Sequence, residues 1–358
     1  MRCFIQRLDV WIQPLEDGKG DLMKYLQKRA AIPVVLGCLT GVLIVASVAA
    51  LCLGSQPYSL GQMWQALKVQ DPQDPVWRVM AYVRLPRMLG GLFSGAALAV
   101  AGVLLQAVLN NAMASPNVIG VNAGAGFFAL LAMVVVPTVP GAMQFASFLG
   151  ALGCSMLVYL LAWRAGLSRT TLVLAGLAVS GMLTAGINTL KLLWPEIVAS
   201  FPGFLTGGLS GVTMGMLAAA FPYFVVGLLL ALFLAVDLNV LCLGEESATG
   251  LGLHVTRTRF LGILAAALLA GAAVSFAGLL SFVGLLAPHI VRRLVGNDHR
   301  VLLPASALLG AAFVVICDIA ARLLFAPFEL PVGILLSLIG GPFFLSLLLH
   351  RKRGRLYV

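Results

Sequence analysis

Asp318 and Arg322 stand four residues apart inside a long apolar run, a spacing that puts a carboxylate and a guanidinium on one helix face. Charges inside such a run are costly, and they mark either a proton relay or an ion pair that fixes helix packing. A proton-driven carrier needs several acids along its helices. Here only Asp318 lies well inside a span, and Arg322 can neutralise it, so a packing pair and a direct functional role both stay open. A second polar set, Thr184, Asn188 and Lys191, shares one face at spacings of four and three. It either lines a path or packs helices, with the lysine snorkelling. Catalytic constellations are missing. His254, His289, His299 and His350 have no cysteine or carboxylate at a metal-ligand spacing, and no C-x-x-C occurs. There is no G-x-x-x-x-G-K-[ST] (the only Gly-Lys pair, Gly18-Lys19, runs into Gly20), no G-x-S-x-G, and no carboxylate pair suited to catalysis. The chain reads as neither an enzyme nor a metal or cofactor protein.

The elements that must position these residues are membrane helices. The chain has 358 residues, 61% hydrophobic and only 10% charged, with mean hydropathy +1.03, whereas soluble domains carry about 25% charged residues. Apolar runs long enough to cross a bilayer recur about ten times and are continuous rather than alternating, which excludes an outer-membrane barrel. The fold class is therefore an all-α polytopic membrane protein. The net charge of +10 does not indicate a nucleic-acid partner. With the N-terminus inside and ten crossings, Lys68, Arg78, Arg84, Arg87, Lys191 and Arg322 fall on the outer side, and the rest of the 23 Lys and Arg residues fall inside. That bias is the positive-inside rule, and it places both termini in the cytoplasm.

Residues 1–30 form a mixed, basic cytoplasmic extension, and 31–358 form the ten-span domain. The spans lie at about 31–53, 88–109, 118–136, 143–163, 171–193, 216–236, 260–279, 282–291, 303–325 and 332–349. Between the first two, 54–87 reads as an outer segment too polar to insert. The run 259–289 is too long for one span and too short for two, so a full span must turn tightly into a short one. Pro288-His289, Arg292-Arg293 and the turn 296–300 follow, a helix leaving the membrane through a basic turn before re-entry. Gly95-Ala96-Ala97-x-x-x-Ala101-Gly102-x-Leu104 recurs as Gly271-Ala272-Ala273-x-x-x-Ala277-Gly278-x-Leu280 on spans of opposite direction. An inverted repeat of spans 2–5 and 7–10 accounts for this. The inner loop 237–258 carries Gly244-Glu245-Glu246, Gly250 and Gly252, spaced as if hinging two short helices. The whole is a translocation path without an engine, so energy must arrive in trans at the inner face. The alternative from another class is an ion-coupled secondary carrier.

From about Gly54 onward the chain resembles the FecCD-type permease subunits of iron-siderophore and cobalamin ABC importers. The resemblance rests on Arg84-Leu85-Pro86-Arg87, the 95–106 run, Asn111 with Pro116 and Gly120, and Leu243-Gly244-Glu245-Glu246. It continues through Phe282-Val283-Gly284-Leu285, Pro288-His289, Asp298-His299-Arg300, Asp318 with Arg322, Glu329-Leu330-Pro331-Val332-Gly333 and Gly340-Gly341-Pro342-Phe343-Phe344. It implies a subunit of the bacterial inner membrane that works as a pair of copies or homologues. Two ATP-binding subunits, which hold ATP and Mg, dock inside, and a substrate-binding protein docks outside. The expected cargo is a ferric siderophore or other iron chelate, with cobalamin or haem as the second choice. By the same resemblance Gly244, Glu245, Glu246, Gly250 and Gly252 couple to the ATPase. Arg84, Arg87 and Arg322 meet acidic residues of the binding protein, Arg84 and Arg87 pointing outward on either side of Pro86. Asn111, Met113, Arg169 and Thr170 fall at an inner gate, where Ala112, Met113 and Arg169 depart from the family pattern.

Overall fold

Apolar stretches in lipid must satisfy every backbone group internally, and each of the ten apolar runs coincides with a helix in the computed structural model. The structure describes residues 32–54, 58–166, 169–196, 202–325 and 328–353. The N-terminal extension 1–30 lies outside them. The long helices are α1 (Ile32–Cys52), α3 (Pro75–Val108), α5 (Ala142–Arg164), α6 (Arg169–Leu193), α8 (Met214–Phe233), α11 (Val255–Ala277), α13 (His299–Leu323) and α14 (Val332–Arg353). Shorter ones are α2 (Leu60–Val69), α4 (Val121–Val135), α7 (Pro202–Thr206), α9 (Ala235–Leu241), α10 (Glu245–Gly250) and α12 (Val283–Val295). Among the described residues seven helices are long and apolar enough to cross a membrane, and α4 and most of α14 are shorter apolar helices. The chain is an integral membrane protein.

One boundary differs from the sequence reading. Residues 75–87, expected in a polar outer segment, continue the second span as helix. Asp74 caps it by accepting the Val76 N–H, and Pro75 takes the first turn, where no N–H is needed. Pro86 offers no N–H to the turn before it, and there the helix widens into a π turn, Met80–Arg84, before regaining α geometry.

Most of α3 and α11 is buried, and they form the centre of the bundle, while α1, α6 and α8 lie outside and remain largely exposed. The two central helices run antiparallel, with Val108 at the end of α3 against Gly262 near the start of α11. Small residues allow the close approach. A Cβ at Gly95 would overlap the Gly310 carbonyl of α13, and one at Gly102 would overlap Gly284 of α12. At that second crossing the buried Gln106 Nε2 donates to the Gly284 carbonyl at 3.2 Å. The repeated motif finds matching surroundings. Gly95 of α3 faces α13, and its echo Gly271 of α11 faces Phe148 and Ala151 of α5. Likewise α3 packs on α12 as α11 packs on α4. These exchanged pairings are those an inverted repeat requires.

Candidate functional site

Three segments bring five charged side chains together at one end of the bundle, against the end of α1. Among the described residues the buried Asp, Glu, Lys and Arg side chains are Arg84, Arg87, Asp318 and Arg322, and all four are in this cluster. Arg87 Nε donates to both oxygens of Asp318, at 3.1 and 3.0 Å, and its Nη1 donates to Glu329 Oε2 at 2.6 Å. Arg322 Nε lies 3.2 Å from Asp318 Oδ2, so the expected pair on α13 exists, but Asp318 is shared with an arginine 231 residues away in sequence. Other guanidinium donors bond the end of α1. Arg322 Nη1 donates to the Leu53 carbonyl at 3.1 Å, and Arg84 Nη1 donates to the carbonyls of Leu51 and of Cys52, the latter at 2.8 Å. Those carbonyls have no partner within their helix and sit at its negative end, so cationic donors satisfy both needs. The Arg84 guanidinium also lies over the Tyr58 ring, 4.6 Å from its centroid.

This arrangement corrects the expectation that Arg84 and Arg87 point outward. Arg84 is 5% exposed, and Arg87 and Arg322 are 6% exposed each, because the α1 terminus and Asp318 draw them inward. The reachable group is the Glu329 side chain, 40% exposed. Sequence reasoning missed Glu329 as a member of the cluster. Its signal was present, an acid just beyond the span that holds Asp318.

At the opposite end of α13 lies the hinged loop. Gly244 and Gly252 bracket α10 with φ of 107° and 84°, in open space, so backbone conformation rather than crowding calls for glycine. Gly250 ends α10, also in open space. Glu246 is exposed, while Glu245 Oε2 accepts from Arg259 Nη2 of α11 at 2.9 Å. A contact that sequence reading did not single out fastens α9 to α13. Asn239 Nδ2 donates to Asp298 Oδ1 at 2.8 Å, and its Oδ1 accepts the His299 N–H at 2.9 Å and sits 2.7 Å from His299 Nδ1. Burial raises the Asp298 carboxyl, but the Asn239 amide, the Arg300 N–H and the nearby Arg300 and His299 charges outweigh it and hold the group below its ordinary value. Asp298 therefore remains an ionised cap of α13.

The residues assigned to an inner gate are spread over two segments. Asn111 Oδ1 accepts the Met113 N–H at 3.0 Å, closing an Asx turn after α3. Met113 lines a cavity of about 310 Å³ with Phe282, Leu286, His289 and Phe343. Phe282 caps α12 at φ 65°, a strained position for an aromatic residue, and its ring fills the space where a Cβ at Gly340 of α14 would stand. Arg169 and Thr170 open α6; Thr170 is exposed, and the Arg169 side chain lies outside the described residues. Farther along α6, Thr184 and Asn188 are exposed and Lys191 is half-buried.

Comparison with known proteins accords with this architecture. The FecCD transport family matches residues 42–350. The Fe(3+)-citrate import system permease protein YfmD of Bacillus subtilis is 40% identical over 277 residues, 77% of this chain and 82% of that protein. The cobalamin import system permease protein BtuC of Halobacterium salinarum is 43% identical over 275 residues, 76% of this chain and 74% of that one. A solved structure described as an inward-facing conformation of a putative metal-chelate type ABC transporter superposes with a TM-score of 0.79 at 32% identity, covering 89% of this chain and 99% of that one. With ten helical runs, a family match across nearly all of them and a superposable permease fold, the chain belongs to the FecCD transport family.

Proposed function

We infer that this protein is the membrane subunit of a binding-protein-dependent ABC importer, moving a ferric siderophore or other iron chelate inward across the bacterial inner membrane. The observation that carries the reading is α10, a short helix set between two left-handed glycines at one end of a bundle that matches the family over 42–350. A hinged helix of this kind is a mechanical input that can seat in a partner without disturbing the bundle. In this reading two ATP-binding subunits, which hold ATP and Mg, dock there on the cytoplasmic side, where both chain termini also lie. The binding protein docks at the opposite end, and a second copy or homologue of the permease completes the path. Uptake into vesicles reconstituted with the ATPase and binding protein should require ATP. Uptake driven by an ion gradient alone, without ATP, would instead establish a secondary carrier.

The buried arginines suggest how docking works. Arg87 is held by Glu329, whose side chain is the exposed member of the cluster. A carboxylate of the binding protein can replace Glu329 on Arg87, exchanging one charge-assisted hydrogen bond for another. Glu329→Gln should therefore tighten binding-protein association at low salt by about fivefold, about 1 kcal/mol for a pair whose acid faces solvent. Arg87→Gln should weaken it. Equal affinities for wild type and Glu329→Gln at low salt would exclude the exchange.

Cobalamin is the second reading for the cargo, favoured by the 43% identity to the archaeal cobalamin permease. Direct binding of each chelate to the partner binding protein separates the two.

A further inference from the structure

A groove of about 730 Å³ opens between the end of α5 and the start of α11, sharing no lining residue with the buried arginine cluster or the cavity at Met113. Its walls are Tyr159, Leu160 and Trp163 from the last turns of α5, His254 and Arg257 from the turn into α11, and Phe260 one turn farther along. Leu160, Trp163 and Phe260 are exposed, and Tyr159 packs on Phe260 with ring centroids 5.5 Å apart. Both helices are membrane spans, and both reach their ends here. The aromatic and aliphatic part therefore faces acyl chains, while the basic part stands where headgroups begin. The charges on the two helix ends are cationic. Arg164 closes α5, Arg257 lines the groove, and Arg259 is paired with Glu245.

From this juxtaposition we propose that the α5–α11 groove binds one anionic phospholipid of the surrounding membrane, its phosphate on Arg257 and its acyl chains along Leu160, Trp163 and Phe260. Basic pockets between spans select anionic headgroups by charge, and aromatic side chains at the interface anchor the glycerol region. Arg259, two residues beyond Arg257, bonds Glu245 of α10 at 2.9 Å, so the proposed lipid site adjoins the contact between α11 and the hinged loop.

The test is lipid retention by the full-length permease in detergent, measured by native mass spectrometry during titration with phosphatidylglycerol or phosphatidylcholine. The wild type should retain one phosphatidylglycerol in preference to phosphatidylcholine. Arg257→Gln should lower phosphatidylglycerol retention about fivefold, one basic residue's share of attraction to an anionic headgroup, and leave phosphatidylcholine unchanged. Arg257→Lys should restore the preference, which separates loss of charge from misfolding. Trp163→Ala should weaken retention of both lipids. Equal retention of phosphatidylglycerol by wild type and Arg257→Gln would overturn the proposal. So would a cross-link from the Trp163→Cys variant to a second copy or to an ATPase subunit in the assembled transporter, because the groove would then be a protein interface.

Discussion

Asp318→Asn should destabilise the protein by about 3–5 kcal/mol, the range for breaking a buried ion pair by removing one partner. The carboxylate is 4% exposed and is shared by Arg87 at 3.0 Å and Arg322 at 3.2 Å. An amide keeps the shape but leaves two guanidinium groups buried without their common counterion. Arg322→Leu should not rescue it, because Arg322 also satisfies the Leu53 carbonyl at the end of α1. A leucine there exchanges an unpaired charge for an unpaired acceptor. The measurement is the fraction of monodisperse permease surviving a temperature ramp in detergent. Asp318→Asn should aggregate well below the wild type, and the double variant should remain below it too. A wild-type profile for Asp318→Asn would show that the pairs are not held in the folded protein.

Replacing 244–252 with a Gly/Ser linker of equal length should reduce ATP hydrolysis in vesicles holding all subunits to the level seen without binding protein, while the permease still inserts in the membrane. The expectation rests on the short α10 between Gly244 and Gly252 and on the Glu245–Arg259 pair that fixes its angle. A flexible linker keeps the chain connected but cannot transmit a push, since it has no fixed direction. The bundle should be indifferent to the change, because within this segment only Ala248 is buried against the rest of the protein. Hydrolysis that still responds fully to the binding protein would remove α10 from the coupling role.

Much of this protein is legible from its residues taken in order. Continuous apolar runs set the class and the approximate span positions, because a bilayer demands a minimum length of apolar helix and forbids unpaired backbone. The surplus length of 259–289 correctly implied a full helix turning into a short one, found as α11 and α12. The glycines at 244 and 252 announced a hinge, since few other residues adopt positive φ in open space. The family was carried by short motifs spread from Arg84 to Phe344.

What the sequence could not supply is which charges meet. Asp318 and Arg322 are visible as neighbours on one helix, but Arg87 joins them from 231 residues away, and Glu329 and the carbonyl end of α1 complete the set. The same holds for Asn239, whose bond to Asp298 depends on α9 lying against α13. Helix length, hydropathy and turn chemistry are local and can be read along the chain. Whether an arginine is an exposed rim charge or a buried helix cap is decided by the helix that packs beside it, and only the tertiary structure places α1 against Arg84 and Arg322.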